Sequence, residues 1–365
     1  MLPFKSKLKL EKINNFLIQI TPISLEEKIF FVRNFQVMIK AGLSLSLILK
    51  VLVEQTKNRK LRKVLSEIRQ GVEKGGLLSE NFAKYPSVFP EIFVNMVKVG
   101  EESGKLEDIL NQIVIQMKKI HELVGKVRGA MIYPAVVVIM MIVVGILVMA
   151  FVIPKIITIF EEVQVALPLA THLLIAISKF TSRHGLIVLG IAALFIVLFS
   201  KFISTKSGKF YFHFCLLKMP VFSEIVKKVN LAKFSRTFSS LLAAGLSIVE
   251  TFRITSGVLS NVHYRNFVFK ATEEIKKGES IAKTLKKNSQ LFPPVVTQMI
   301  AVGEETGTLD SILDDLTEFY ETDVKETMDA FASIIEPILI VLLGIAVAGL
   351  AVAIIMPMYS LTQQI

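Results

Sequence analysis

The chain has 365 residues, 52% hydrophobic and 20% charged, with a formal net charge of +11. A mean hydropathy of +0.59 is too high for a soluble chain with that charge content. Charges and apolar residues must therefore sit in separate stretches, as in a membrane protein with large water-exposed parts; disorder and a collagen-like chain are excluded. Cys215 is the single cysteine, which excludes a disulfide scaffold; between Phe214 and Leu216 it reads as a small buried apolar residue.

Residues 1–24, with Lys5, Lys7, Lys9 and Lys12, hold no apolar core long enough for insertion or cleavage and read as a basic arm. Ser24-Leu25-Glu26-Glu27 is a capping box opening a helix that carries Ile29, Phe30, Val32, Phe35, Val37 and Ile39. Gly42 ends it, and Ser44 or Ser46 caps the next helix. A third helix is predicted over 58–74, then Gly75-Gly76, a short helix near 79–84 and a loop at Tyr85-Pro86. Phe89-Pro90 starts a fifth, where the missing N–H of proline costs little. Ser103-Gly104 supplies a left-handed C-cap, and Glu107 and Asp108 fall in the next first turn, where the helix dipole favours them. Leu106, Ile109, Ile113, Met117, Ile120, Val124 and Val127 then recur at spacings of three and four. This helix is expected to run into a membrane span, kinked at Pro134.

Gly129–Pro154 is free of charge between Arg128 and Lys155, and no charge follows Pro337. Both stretches exceed the roughly 20 residues that cross a hydrocarbon core. Gly185–Ser200 is shorter and reaches the needed length with Phe202 and Ile203 if Lys201 snorkels. Residues 1–128 hold 22 Lys/Arg against 13 Asp/Glu, whereas 155–184 hold only Lys155, Lys179 and Arg183 against Glu161 and Glu162. Residues 201–336 concentrate Lys201, Lys206, Lys209, Lys218, Lys227, Lys228 and Lys233 near the second span. The positive-inside rule puts both large segments in the cytoplasm and the short one outside. The basic face reports topology and anionic lipid; no nucleic acid partner is expected.

The chain repeats itself at an offset of 203 residues. Phe31, Arg33 and Phe35 match Phe234, Arg236 and Phe238, and Ala41-Gly42-Leu43-Ser44 matches Ala244-Gly245-Leu246-Ser247. Phe89-Pro90 matches Phe292-Pro293. Gly100, Glu101, Glu102, Gly104 and Leu106 match Gly303, Glu304, Glu305, Gly307 and Leu309. Residues 31–110 give 23 identities with 234–313, against on the order of five by chance. Two copies of one fold belong on one side of the membrane, so the chain must cross an even number of times between them. That makes 185–203 a required crossing.

Nothing in the chain signals catalysis. Ser207-Gly208-Lys209 lacks the upstream glycine of a phosphate loop, and His121, His172, His184, His213 and His263 are scattered without a ligand partner. No catalytic residue, cofactor or metal is expected. The acid pairs Glu101-Glu102 and Glu304-Glu305 suit a divalent cation, a basic partner or simply a solvated helix end. Arg33 and Arg236, set between phenylalanines, suit either a buried carboxylate or a partner.

The doubled pattern F-x-R-x-F, A-G-L-S, F-P and V-G-E-E-[ST]-G-x-L, around three spans and across residues 25–360, resembles the type II secretion system F-domain family. These are inner-membrane platform proteins of type II secretion and of type IV pilus and competence pseudopilus assembly. The resemblance implies an all-α membrane protein with two repeated cytoplasmic six-helix bundles and three transmembrane helices. The bundles would cover 25–128 and 204–336, the spans 129–154, 185–203 and 337–358, and extracytoplasmic parts 155–184 and 359–365. It implies a non-enzymatic protein of the bacterial inner membrane, N-terminus cytoplasmic. Its partners would be a hexameric ATPase, pilin or pseudopilin subunits, other assembly proteins and further copies of itself. Phe31, Arg33, Phe35, Ala41, Gly42, Gly100, Glu101, Glu102, Gly104 and Leu106, with their ten counterparts 203 residues on, become its candidate structural or partner-binding positions, and ATPase contact is expected between Lys5 and Lys84. The alternative is a small transporter or lipid-handling permease, against which stand few spans, none with a central charge.

Overall fold

The computed structural model describes residues 22–154, 176, 178, 180, 183–220 and 222–362. Residues 1–21 of the basic arm, most of the segment 155–184 and the last three residues lie outside that set. Among the described residues there is helix and no strand.

The first repeat holds α1 (Leu25–Lys40), α2 (Leu45–Gln55), α3 (Arg59–Glu73), α4 (Leu78–Ala83), α5 (Glu91–Ser103) and α6 (Leu106–Leu147). A π-helical turn, Val148–Val152, continues α6. Then come α7 (Gly185–Ser204) and α8 (Lys206–Lys218). The second repeat holds α9 (Phe222–Ala243), α10 (Ile248–Val258), α11 (Val262–Lys276), α12 (Ile281–Lys286), α13 (Pro294–Thr306) and α14 (Leu309–Thr362).

Local chemistry sets these boundaries. Ser24 accepts from the Glu27 amide at 3.1 Å while Glu27 accepts from the Ser24 amide at 2.8 Å, the reciprocal capping box. Asn58 and Asn261, 203 residues apart, cap α3 and α11 through their side-chain oxygens. Ser44 takes the N-cap of α2 without a side-chain bond, and the Ser46 hydroxyl donates to Glu73 instead. Pro90 stands just outside α5 as its N-cap, whereas Pro294 occupies the first turn of α13. The positive-φ glycines form three equivalent pairs: Gly42 with Gly245, Gly75 with Gly278, Gly104 with Gly307. Each ends a helix in the left-handed region.

The chain divides into two compact units. One runs up to Val124 and includes Glu224–Val324; the other comprises Gly125–Ser223 and everything from Lys325 onward. Both repeats thus share the first unit, and they share a core as well. Leu241, Ala244 and Ile254 of the second repeat belong to the same buried cluster as Phe31, Phe35, Phe82 and Phe89 of the first. On α1 the buried residues are Phe31, Val32 and Phe35, while Phe30 and Val37 face outward. Of the apolar residues expected on this helix, Val32 and Phe35 are buried, Ile29 and Ile39 half-buried, and Phe30 and Val37 exposed.

In the second unit, most described apolar side chains point outward, Ile139, Phe195, Val341 and Ile345 among them. Two helical stretches, Leu106–Val152 and Leu309–Gly349, are long and apolar enough to cross a membrane. Pro134 lies inside α6. Cys215 is exposed, contrary to expectation. Its helix keeps Phe210, Tyr211 and Phe214 outward too, so apolar neighbours in sequence do not place it in a protein core.

Candidate functional site

The repeated motif builds the same bracket twice. In the first repeat Glu101, on α5, accepts from the amides of Leu78 at 2.6 Å and Ser79 at 3.1 Å, and from the Ser79 hydroxyl at 2.7 Å. In the second, Glu304 accepts from the amides of Ile281 at 2.6 Å and Ala282 at 2.8 Å, and from the Ser280 hydroxyl at 2.8 Å. A carboxylate thus closes the N-terminus of a six-residue helix in each copy; Leu77 offers no side-chain cap in the first, while Ser280 also accepts from the Lys283 amide in the second. The donating serine is the second helical residue in the first copy and the N-cap in the second, yet the bracket is kept. Glu102 extends outward beside Lys98 at 3.8 Å. The two members of the acid pair therefore do different work. Among the described residues no group of three or more His, Cys, Asp or Glu side chains is placed to hold a metal.

Gly100 and Gly303 let the following helix approach closely. A Cβ on Gly100 would stand 3.0 Å from the Ile109 Cβ, and one on Gly303 would stand 3.0 Å from the Leu309 Cα. Gly104 and Gly307 then turn the chain at φ 69° and 73°, and Leu106 and Leu309 open the long helices α6 and α14. Behind the bracket lies an aromatic cluster. Phe82 meets Phe89 and Phe93 edge-on at 4.5 and 5.0 Å, and Phe31 and Phe35 complete it. Phe234, Phe238, Phe252 and Phe292 repeat the theme.

The motif arginines part company. Arg236 donates to both oxygens of Glu321 at 2.9 Å, with both side chains largely buried. Arg33 is exposed, and the residue equivalent to Glu321 is Lys118. Ala41 is exposed as well, whereas its counterpart Ala244 is buried.

A cavity of about 510 Å³ opens where α10 of the second repeat faces the first. Its walls include Leu25, Val32, Phe89, Ile92, Met117 and Ile120, with Ile254, Gly257 and Val258 opposite. Three polar side chains line it, Lys28, Glu91 and Gln116. The Lys28 ammonium donates to the Val88 carbonyl at 2.6 Å, and burial, aided by Lys60, pushes its pKa below the usual lysine range. The Gln116 amide nitrogen is buried without a hydrogen-bond partner among the described residues. The second repeat differs at the equivalent positions. There Tyr320 stands for Met117, and Asp323 for Ile120; Asp323 accepts from Lys228 at 2.7 Å. Burial alone would lower the pKa of Lys228, but its bonds to Asp323 and Glu224 win and raise it.

Beside the cavity Arg253 ties the repeats together, donating to Glu91 of α5 and to Glu250 of its own helix. The Glu250 carboxyl is held below its ordinary value chiefly by that arginine hydrogen bond. Arg253 and Glu91 carry no repeat signal, since their counterparts are Lys50 and Pro294. Only the Glu250–Arg253 spacing of three on one helix hinted at the pair.

The likeness of the two copies extends beyond this chain. A family model described as type II secretion system (T2SS), protein F, matches residues 31–154 and again 234–357. The chain belongs to the type II secretion system protein F family. The matched segments begin and end 203 residues apart, the same offset as the repeat, and each runs from an F-x-R-x-F helix into an apolar stretch. Similar members include the type IV pilus assembly protein PilC of Thermus thermophilus, 34% identical over 92% of this chain and 83% of its own. PilC of Pseudomonas aeruginosa is 31% identical over 91% and 88%. The type II secretion system protein F of Aeromonas hydrophila is 28% identical over 96% and 90%. In this family member the brackets, glycine turns and aromatic clusters are all paired, while the arginine contacts are not.

Proposed function

We propose that this chain is the non-enzymatic membrane platform of a type IV pilus or type II secretion pseudopilus machine, coupling a hexameric cytoplasmic ATPase to the insertion or extraction of pilin-like subunits. The observation that carries it is the pairing of two family repeats with two unbroken helices. Leu106–Leu147 and Leu309–Thr362 each start inside a repeat and run on through an apolar stretch. Each helix joins a repeat to an apolar stretch without an intervening loop, a direct covalent route for displacement.

The reading places the chain in the bacterial inner membrane with three crossings at 129–154, 185–203 and 337–358. The six-helix bundles at 25–128 and 204–336 are cytoplasmic, as is the basic arm at 1–24; the segments 155–184 and 359–365 are outside. The helix Gly185–Ser204 has 20 residues, about 30 Å at 1.5 Å per residue, which supports the middle crossing. The first repeat is the ATPase-facing one: Lys57, Arg59, Arg62 and Lys63 are on or beside the exposed side of α3. The spans, free of central charge, handle the apolar helices of pilin-like subunits, and no nucleic acid is involved. The twenty paired motif residues build and orient the bundles, and no cofactor takes part.

Capture of the tagged full-length chain from detergent-extracted membranes tests this. A hexameric ATPase and prepilin-like proteins are expected to co-purify, with the ATPase lost when Arg59, Arg62 and Lys63 become Glu. Recovery of neither would refute the reading.

A further inference from the structure

Lys28 brings a charge to a place where the fold needs only a donor. Its ammonium donates to the Val88 carbonyl at 2.6 Å. In the second repeat the equivalent carbonyl, of Leu291, accepts from the buried Tyr264 hydroxyl at the same 2.6 Å, and Leu231 stands where Lys28 would be. A neutral hydroxyl does the structural work there, without the cost of taking a cation out of water. Lys228 makes the opposite comparison: it is also largely buried, but Glu224 and Asp323 each meet it at 2.7 Å. Lys28 has no such partner. Burial and the neighbouring Lys60 lower its pKa, and no carboxylate raises it again.

This cation lies on the wall of the 510 Å³ cavity. Among the described residues Glu91 is the one acid on those walls, and it already accepts from Arg253. Gln116, only 5% exposed, lines the same cavity with an amide nitrogen that has no hydrogen-bond partner among the described residues. The rest of the wall is mostly aliphatic, with Val32, Ile92, Met117, Ile120, Ile254 and Val258 on it. An apolar hollow of this volume with a few convergent polar groups is the usual form of a small-molecule site. Both of the polar groups left without full partners here are donors, so what is missing is an acceptor, and the charge of Lys28 asks for an anionic one.

We propose that this cavity binds a free aliphatic carboxylate of medium chain length, its head on the Lys28 ammonium and its chain along the apolar walls. An ammonium has three donors, so the bond to the Val88 carbonyl is kept when the carboxylate arrives. The chain takes apolar wall out of water, and the head supplies the charge partner that Lys28 lacks. An alcohol of the same length matches the walls alone, and an inorganic anion matches the lysine alone. Such binding stands or falls independently of the proposed function.

The test uses the full-length chain in a maltoside detergent and a decanoate that carries a diazirine at its far end. Irradiation and peptide mass spectrometry are expected to place label on the cavity walls, at Met117, Ile120 or Val258, as well as on the apolar spans, where any acyl chain partitions. Excess decanoate should remove the cavity label and leave that of the spans; decanol should leave both. Lys28→Gln keeps a donor for the Val88 carbonyl and should cut the cavity label about tenfold, the worth of one hydrogen bond to a charged group. Ile120→Phe narrows the cavity without touching the cation and should cut the label too, with helical circular dichroism unchanged, so the test does not hang on the folding of one variant. Label confined to the spans, cavity label that decanol removes equally well, or cavity label that either folded variant leaves undiminished would each overturn the proposal.

Discussion

Arg236 and Glu321 lock α9 to α14 through two parallel hydrogen bonds of 2.9 Å. Arg33, in the same motif position of the first repeat, is exposed and has Lys118 where Glu321 would be. One motif residue thus carries two different energies. Glu321→Ala is expected to lower stability by about 1.5–3 kcal/mol, because it strands a largely buried guanidinium. Arg33→Ala should stay within about 0.5 kcal/mol. Denaturant titration of the two variants in detergent checks both, and equal losses would contradict the distinction.

Glu101 and Glu304 each gather three hydrogen bonds from the start of a short helix. Glu304→Ala should cost about 1–2 kcal/mol and speed amide exchange in Ile281–Lys286. Glu102→Ala and Glu305→Ala should move the melting midpoint little. Exchange mass spectrometry reads the local effect directly.

The glycines divide by sign. Gly307→Ala, at φ 73°, should destabilise by about 1–2 kcal/mol, and Gly303→Ala, whose Cβ would crowd the Leu309 backbone at 3.0 Å, by about 1–3 kcal/mol. Gly257 lies within α10 beside the cavity with nothing within 4 Å of a new Cβ. Gly257→Ala should therefore stabilise, by about 0.5 kcal/mol. Thermal melts of the three variants test the ordering.

The Arg253 clasp predicts a pH effect. The arginine bond holds the Glu250 pKa below 4.5 in the folded chain. A depressed carboxyl stabilises the fold above its unfolded value and loses that contribution as the pH falls through the folded value. Glu250→Gln should thus lower the melting midpoint at pH 7, and the gap from wild type should close as the pH drops below 4.5. A gap that persists unchanged at low pH would assign the loss to packing.

Sequence reasoning reached as far as local chemistry reaches. The Ser24–Glu27 box and the glycine turns were legible because each depends on a few adjacent residues, and the 203-residue offset made the glycine turns visible twice. On α1 it named Val32 and Phe35, which are buried, alongside Phe30 and Val37, which are not. Adjacent phenylalanines look alike until their neighbours are known. Glu101 read as a solvated or metal-binding acid because its partners lie 22 and 23 residues upstream. The joining of the repeats was invisible for the opposite reason: Arg253 and Glu91 differ from their counterparts, so comparison of the copies passes over them.

Deletion of the gene in its native host, with complementation, tests the platform reading most directly. Surface filaments or secreted cargo should disappear while pilin-like subunits still accumulate in the membrane, and the wild-type chain should restore them. Filaments and secretion left intact by the deletion would contradict it.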